Sequence, residues 1–244
     1  ATAIGEDGDH AGILALQELV IDGRLTGPPR NAEGQDLLTA LHDVATGPLA
    51  EGVDRSQFVS QLAREIAFPS SINQGTYGTC GVTSLQMYMA HEDPAELTRI
   101  VGGLASPEGS VQLRDGKTLT RDGGVGPERA NDDRSVTNRL FSAAVSELGD
   151  ANNYDPVAGG LSDGSAALDV AELEHMLESM TGDGFERVGP GLSGDPVSAQ
   201  ARADIEAEDY DLSLSRYKQD VFEDVHYDPP GVILDRLIQA EVGE

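Results

Sequence analysis

The sequence predicts a predominantly helical α+β fold. Apolar residues recur at helical spacing in one segment after another, whereas strand-like alternation is clear in one place only. The chain has 244 residues, enough for one large domain or two small ones.

In chain order, residues 11–21 predict a helix with Ile13, Leu14, Leu16, Leu19 and Val20 as its apolar stripe and Asp9 placed to cap it. Residues 34–46 predict a second, with Leu37, Leu38, Leu41 and Val44 inward and His42 beside them. Asp54-x-x-Gln57 has capping-box spacing ahead of a third helix over 55–67, carrying Phe58, Leu62 and Ile66. Pro69 breaks the chain. After the cysteine segment, Pro94 opens a helix over 94–104. Residues 110–120 alternate on both sides of Asp115-Gly116, a hairpin signal. Further helices are expected over 132–148, over 170–180 behind an Asp169-x-x-Glu172 box, and over 231–241. Residues 149–167 and 181–196 read as loops, and 197–222 as a weakly periodic acidic stretch.

Charge narrows the partners. Lys and Arg number 16 against 43 Asp and Glu, a net charge of -27, and the only lysines are Lys117 and Lys218. Such a surface repels phosphate backbones, which argues against a nucleic-acid partner and favours cationic ones. No apolar run approaches the roughly 20 residues that span a bilayer. A single cysteine excludes an internal disulfide. Neither a cofactor nor a metal is expected, although Asp7, Asp9 and Glu18 partly fit a calcium loop. Ala11 stands at a ligand position of that loop, and no helix precedes it, so an acidic helix cap is the simpler reading. Localisation is not assigned. The acidity suits a soluble protein, with a secreted or particle-associated one among the alternatives.

The chemistry is expected at Asn73-Gln74-Gly75-Thr76-Tyr77-Gly78-Thr79-Cys80-Gly81-Val82-Thr83-Ser84. A glycine-rich turn leads into the lone cysteine, and the mixed apolar run after it predicts a partly buried helix. Cys80 then stands at a helix N-terminus, a setting that favours a thiolate nucleophile. Gln74, six residues upstream, and the Cys80 backbone N–H are candidate donors to a developing oxyanion.

Gln74-Gly75-x-x-Gly78-x-Cys80-x-x-x-Ser84 resembles the active-site segment of papain-like cysteine peptidases. The resemblance covers about a dozen residues. Gly81 departs from papain, which has a tryptophan there, and looks more like the bacterial branch that includes the bacteriocin-processing peptidases. It implies Cys80 as nucleophile, Gln74 as oxyanion donor, and a histidine base roughly 130–150 residues downstream. His226 lies 146 positions after Cys80, but Tyr227-Asp228-Pro229-Pro230 follows it where the family has an apolar strand. The resemblance therefore implies a papain-like domain over 69–244 with its C-terminal β half reduced or absent, preceded by a helical region over 1–68. The missing half would come from a longer precursor or a second chain. The implied activity is hydrolysis of peptide bonds in a peptide or protein substrate. The alternatives are a non-catalytic structural or assembly protein that keeps the fold, and a calcium-stabilised extracellular binding module.

Overall fold

The computed structural model describes residues 10–127, 132–149, 154–155, 160–161 and 168–185. All of these belong to the first of two compact units, Ala1–Arg187; the second, Val188–Glu244, lies outside the described residues. The expectations for 186–196, 197–222 and the helix over 231–241 lie outside them too, as does His226.

The described chain is mostly helical, with two small antiparallel strand pairs. Its helices are α1 (His10–Ile21), α2 (Leu37–Thr46), α3 (Arg55–Ala67), α4 (Cys80–Glu92), α5 (Pro94–Ala105), α6 (Val136–Gly149) and α7 (Val170–Thr181). Between α5 and α6, β1 (Ser110–Gln112) pairs with β2 (Thr118–Thr120), Val111 opposite Leu119. Gly116, at φ 89°, serves the turn predicted at Asp115-Gly116. A second pair, β3 (Tyr154–Asp155) with β4 (Gly160–Leu161), interrupts the segment read as a loop.

Side-chain caps fix the starts of three helices. Asp54 accepts the Gln57 N–H at 2.8 Å, and Asp169 and Glu172 form a reciprocal capping box. Two helices start later than expected. The Asn31 side chain accepts the N–H groups of Glu33 and Gln35, which makes 31–35 a turn and leaves Asp36 to cap α2. Residues 132–134 are held against the cysteine loop, so α6 begins at Val136.

One hydrophobic core runs through all seven helices and crosses position 68 without a break, from Leu19, Phe58, Leu62 and Ile66 to Val82, Met89, Ile100, Phe141 and Met180. Each large side chain enclosed there contributes about 1.5–3 kcal/mol relative to exposure.

Two apolar stripes are corrected. On α1, Leu14 and Val20 are 60% and 63% exposed, and the buried face is Gly12, Ala15 and Leu19. The cause is close approach to α3: a methyl group on Gly12 would lie 2.5 Å from Ser60 Oγ, so the small residues must face inward. On α2, Leu38 is exposed while Leu37, Ala40, Leu41 and Val44 are buried.

Polar groups also cross the interior. Glu96 is fully enclosed; its Oε2 accepts the Ala32 N–H at 2.8 Å and Arg99 Nε at 3.0 Å, and its Oε1 accepts Arg99 Nη2 at 2.6 Å. Arg114 Nη2 lies 3.8 Å from Glu96 and 2.8 Å from Asp93. This cluster fastens the loop before α2 to α5 and the first hairpin. Glu65, also buried, has a different setting. It accepts from Gln86 Nε2 at 3.0 Å and from the Thr137 hydroxyl, and Gln86 Oε1 accepts from Asn138 at 2.8 Å. These four residues join α3, α4 and α6. Burial pushes the Glu65 carboxyl up to about 7, against the pull of its hydroxyl partners and of Arg64.

Candidate functional site

The loop before α4 is folded on its own side chains. Asn73 Oδ1 accepts the Gly75 N–H at 2.9 Å, and Gly75 adopts φ 61°, which favours glycine. Gln74 Nε2 donates to the Tyr77 carbonyl at 3.1 Å. One N–H of the expected oxyanion donor is thereby spent within the turn.

A second segment clamps this loop from outside. Asn73 Nδ2 donates to Asp133 at 3.3 Å, and the hydroxyl of buried Tyr77 donates to Asp132 Oδ2 at 3.2 Å. Arg134 grips both oxygens of Asp132 at 2.9 Å and stacks over the Tyr77 ring, 3.3 Å from its centroid. Burial alone would raise the Asp132 carboxyl, but the hydrogen bonds and charge of Arg134 outweigh it and hold it below the ordinary range. The sequence reading missed this clamp. Its signal was Asp132-Asp133-Arg134, three charged residues ahead of the apolar stripe of α6.

Cys80 is the first residue of α4, and it is exposed. Thr79 holds the N-cap position without capping, and its buried hydroxyl has no hydrogen-bond partner. The first N–H groups of α4, which point away from the helix body, thus lack a side-chain cap. Ser84 Oγ donates to the Cys80 carbonyl one turn on.

None of the four described histidines supplies a base to Cys80. His10 opens α1, and His42 lies 3.5 Å from Asp43. His91 pairs with Glu92 at the far end of α4, about 16 Å along the axis at 1.5 Å per residue. His175 is exposed on α7 and accepts Lys117 Nζ at Nε2, facing the first hairpin. Of the calcium-loop residues, Glu18 sits in α1, and Asp7 and Asp9 lie outside the described residues. Among the described residues no group of three or more His, Cys, Asp or Glu is arranged to hold a metal ion.

Beside Cys80, α4 and α7 enclose an apolar trough of about 330 Å³. Its walls are two stripes of identical spacing: Gly81, Ser84, Leu85 and Tyr88 on α4, and Val170, Leu173, Glu174 and Leu177 on α7. Gly81 permits the contact, since a methyl group there would lie 2.6 Å from Leu173 Cδ1. Phe185 closes the far end, its ring edge-to-face with Tyr88 at 6.0 Å. A larger cavity of about 640 Å³ lies between α2, α5 and β1. Its Arg99 and Arg114 are already committed to Glu96 and Asp93. A small polar one, about 110 Å³, lies beside Glu65, Ser71 and Asp133.

Comparison of the chain with protein-family models, with curated proteins and with solved structures finds no match. No helix among the described residues is long and apolar enough to cross a membrane.

Proposed function

We propose that this chain is a thiol-dependent peptidase-like protein, similar to the papain-like superfamily, with Cys80 as nucleophile. The observation that carries the reading is an exposed, lone cysteine at the first position of a helix without a side-chain cap, directly after a loop hydrogen-bonded to Asp132 and Asp133. Rigid support for an exposed nucleophile is what acyl transfer requires.

In this reading the Cys80 sulfur attacks a peptide carbonyl carbon and its proton passes to a histidine base, for which His226 is the candidate this sequence offers and a longer precursor or second chain the alternative source. The C–N bond then breaks, the leaving amine takes that proton, and water hydrolyses the thioester. The oxyanion is held by a backbone N–H of α4 and by the second N–H of Gln74, since the first is donated to Tyr77. A non-catalytic assembly protein is the second reading. It is favoured by the local engagement of Gln74 and by the lack of a described histidine at Cys80.

One experiment separates them. Native protein at pH 7 should take up iodoacetamide several-fold faster than free cysteine. Cys80→Ala should abolish cleavage of a peptide library, and His226→Ala should lower the rate on the order of 10²–10⁴-fold. Labelling no faster than free cysteine, with no cleavage, leaves the assembly reading.

A further inference from the structure

The cavity of about 640 Å³ between α2, α5 and β1 has neither Cys80 nor its loop in its walls. Part of the wall is apolar, with Ala40, Val44, Leu49 and Val111. Arg99 lines it from α5, and its side chain is only 10% exposed. Three hydrogen bonds fix the guanidinium: Nε and Nη2 each donate to an oxygen of Glu96, and Nη2 also donates to the Gln112 carbonyl at 2.8 Å. Commitment to Glu96 therefore stops short of Nη1, which has no partner among the described residues. Nε and Nη2 occupy one edge of the planar group, so Nη1 is turned away from the enclosed Glu96. A donor already held in place spares a ligand the cost of ordering it.

The same cavity carries the opposite charge at its exposed side. Glu33 is exposed, lines the cavity and has no partner for its carboxylate among the described residues. Asp43 lies in the wall with it, its Oδ2 accepting Gln35 Nε2 at 2.7 Å.

These groups narrow the ligand by elimination. An anion alone would meet Arg99 and Arg114 already balanced by Glu96 and Asp93, on a chain of net charge -27. A cation alone would leave Arg99 Nη1 unmet, and an apolar molecule would leave both charges unmet. A molecule with a carboxylate at one end, an ammonium group at the other and an apolar side chain between them meets all three features. The volume lies within the range of small-molecule sites, roughly 300–1,000 Å³.

We infer that the cavity binds a small zwitterion of the amino-acid type, a free amino acid or a short peptide. Its carboxylate accepts from Arg99 Nη1, its apolar side chain packs on Val44 and Leu49, and its ammonium group faces Glu33 and Asp43. This site does not rest on the thiol chemistry proposed at Cys80.

Isothermal titration calorimetry of the Cys80→Ser protein with L-leucine and with leucyl-leucine tests it. Saturable binding of at least one is expected, and whichever binds identifies the source as free amino acid or peptide. Capping reads each end separately. The methyl ester, which lacks the carboxylate, should bind about tenfold or more weakly, and the N-acetyl form, which lacks the ammonium group, several-fold more weakly. Glu33→Lys should weaken the zwitterion several-fold and spare the N-acetyl form. Arg99→Lys keeps the charge without the fork and should cost about tenfold or more. Arg99 also holds Glu96, so Ala32→Phe supplies a variant that leaves the ion pair intact: the exposed Ala32 lines the cavity, and the larger ring should block binding at an unchanged melting temperature. Absence of saturable binding by both leucine and leucyl-leucine overturns the inference, as does equal affinity for free and capped forms, or indifference to Ala32→Phe. Inorganic phosphate bound as tightly as the zwitterion would overturn it too, by making this a plain anion site. The titration does not use the thiol, so its failure leaves the peptidase reading untouched.

Discussion

Glu65 and Glu96 are both enclosed carboxyl groups on helices, and the fold satisfies them in opposite ways. Glu96 meets one guanidinium in a two-pronged grip, a second nearby and a backbone N–H. Glu65 meets an amide and hydroxyls, with Arg64 acting only at a distance. Desolvation disfavours charge at both places. At Glu96 guanidinium groups supply the partners; at Glu65, where the direct partners are neutral donors, the carboxyl holds its proton up to about pH 7. The first arrangement acts as a fastener and the second as a titratable joint between α3, α4 and α6.

The largest expected effect comes from breaking the fastener. Glu96→Gln leaves Arg99 without its charged partner in a site where its side chain is only 10% exposed. Loss of one partner of a buried pair removes about 3–5 kcal/mol. Urea denaturation should show that loss; a change under 1 kcal/mol would mean the Arg99 site admits enough water to replace the carboxylate.

The joint gives the next effect, and it depends on pH. The folded-state value of Glu65 is raised from the ordinary 4.5 to about 7, so the folded protein binds the proton more tightly than the unfolded chain does. Its contribution is fully present below about pH 4.5 and is lost as pH rises through about 7. A shift of that size corresponds to about 3 kcal/mol across the window. Glu65→Gln should flatten this part of the stability curve. A wild-type curve level between pH 5 and 7.5, after correction for the other carboxylates, would show that Glu65 is ionised throughout.

The smallest effect tests whether the cysteine loop belongs with the fastener or with the joint. Tyr77→Phe deletes the hydroxyl that donates to Asp132 but keeps the ring beneath Arg134. A loss of about 1 kcal/mol is expected, as for an ordinary hydrogen bond. Iodoacetamide should then reach Cys80 faster if the loop loosens. A loss above 3 kcal/mol would place the hydroxyl inside the ionic grip itself.

Helix positions and caps were legible because their causes are local: Asp54 and Asp169 cap within their own turns. The facing of α1 was not, because the apolar pattern names Leu14 and Val20 while the decision rests with Gly12 and a serine on another helix. Glu65 carried a readable signal. It lies three residues after Leu62 and seven after Phe58, on the buried stripe of α3. Gln86 stands likewise between Val82 and Met89. A polar residue on an apolar stripe marks a network, but its partners Thr137 and Asn138 lie 72 and 52 residues further on, beyond any local pattern. At the cysteine, the sequence placed Cys80 at a helix start; the clamp and the trough depend on segments folded against it from downstream.

That dependence sets an order in time. Asp132 follows Tyr77 by 55 residues. At roughly 5–20 residues per second, a ribosome makes the clamp about 3–11 s after it makes the loop. Until then Cys80 is carried on a loop whose outer support does not yet exist, and α7, which walls the trough, comes later still. A nascent chain arrested before Asp132 should accordingly present its thiol without the ring stack or the α4–α7 trough, and comparing its alkylation with that of the released protein would reveal when the site is assembled.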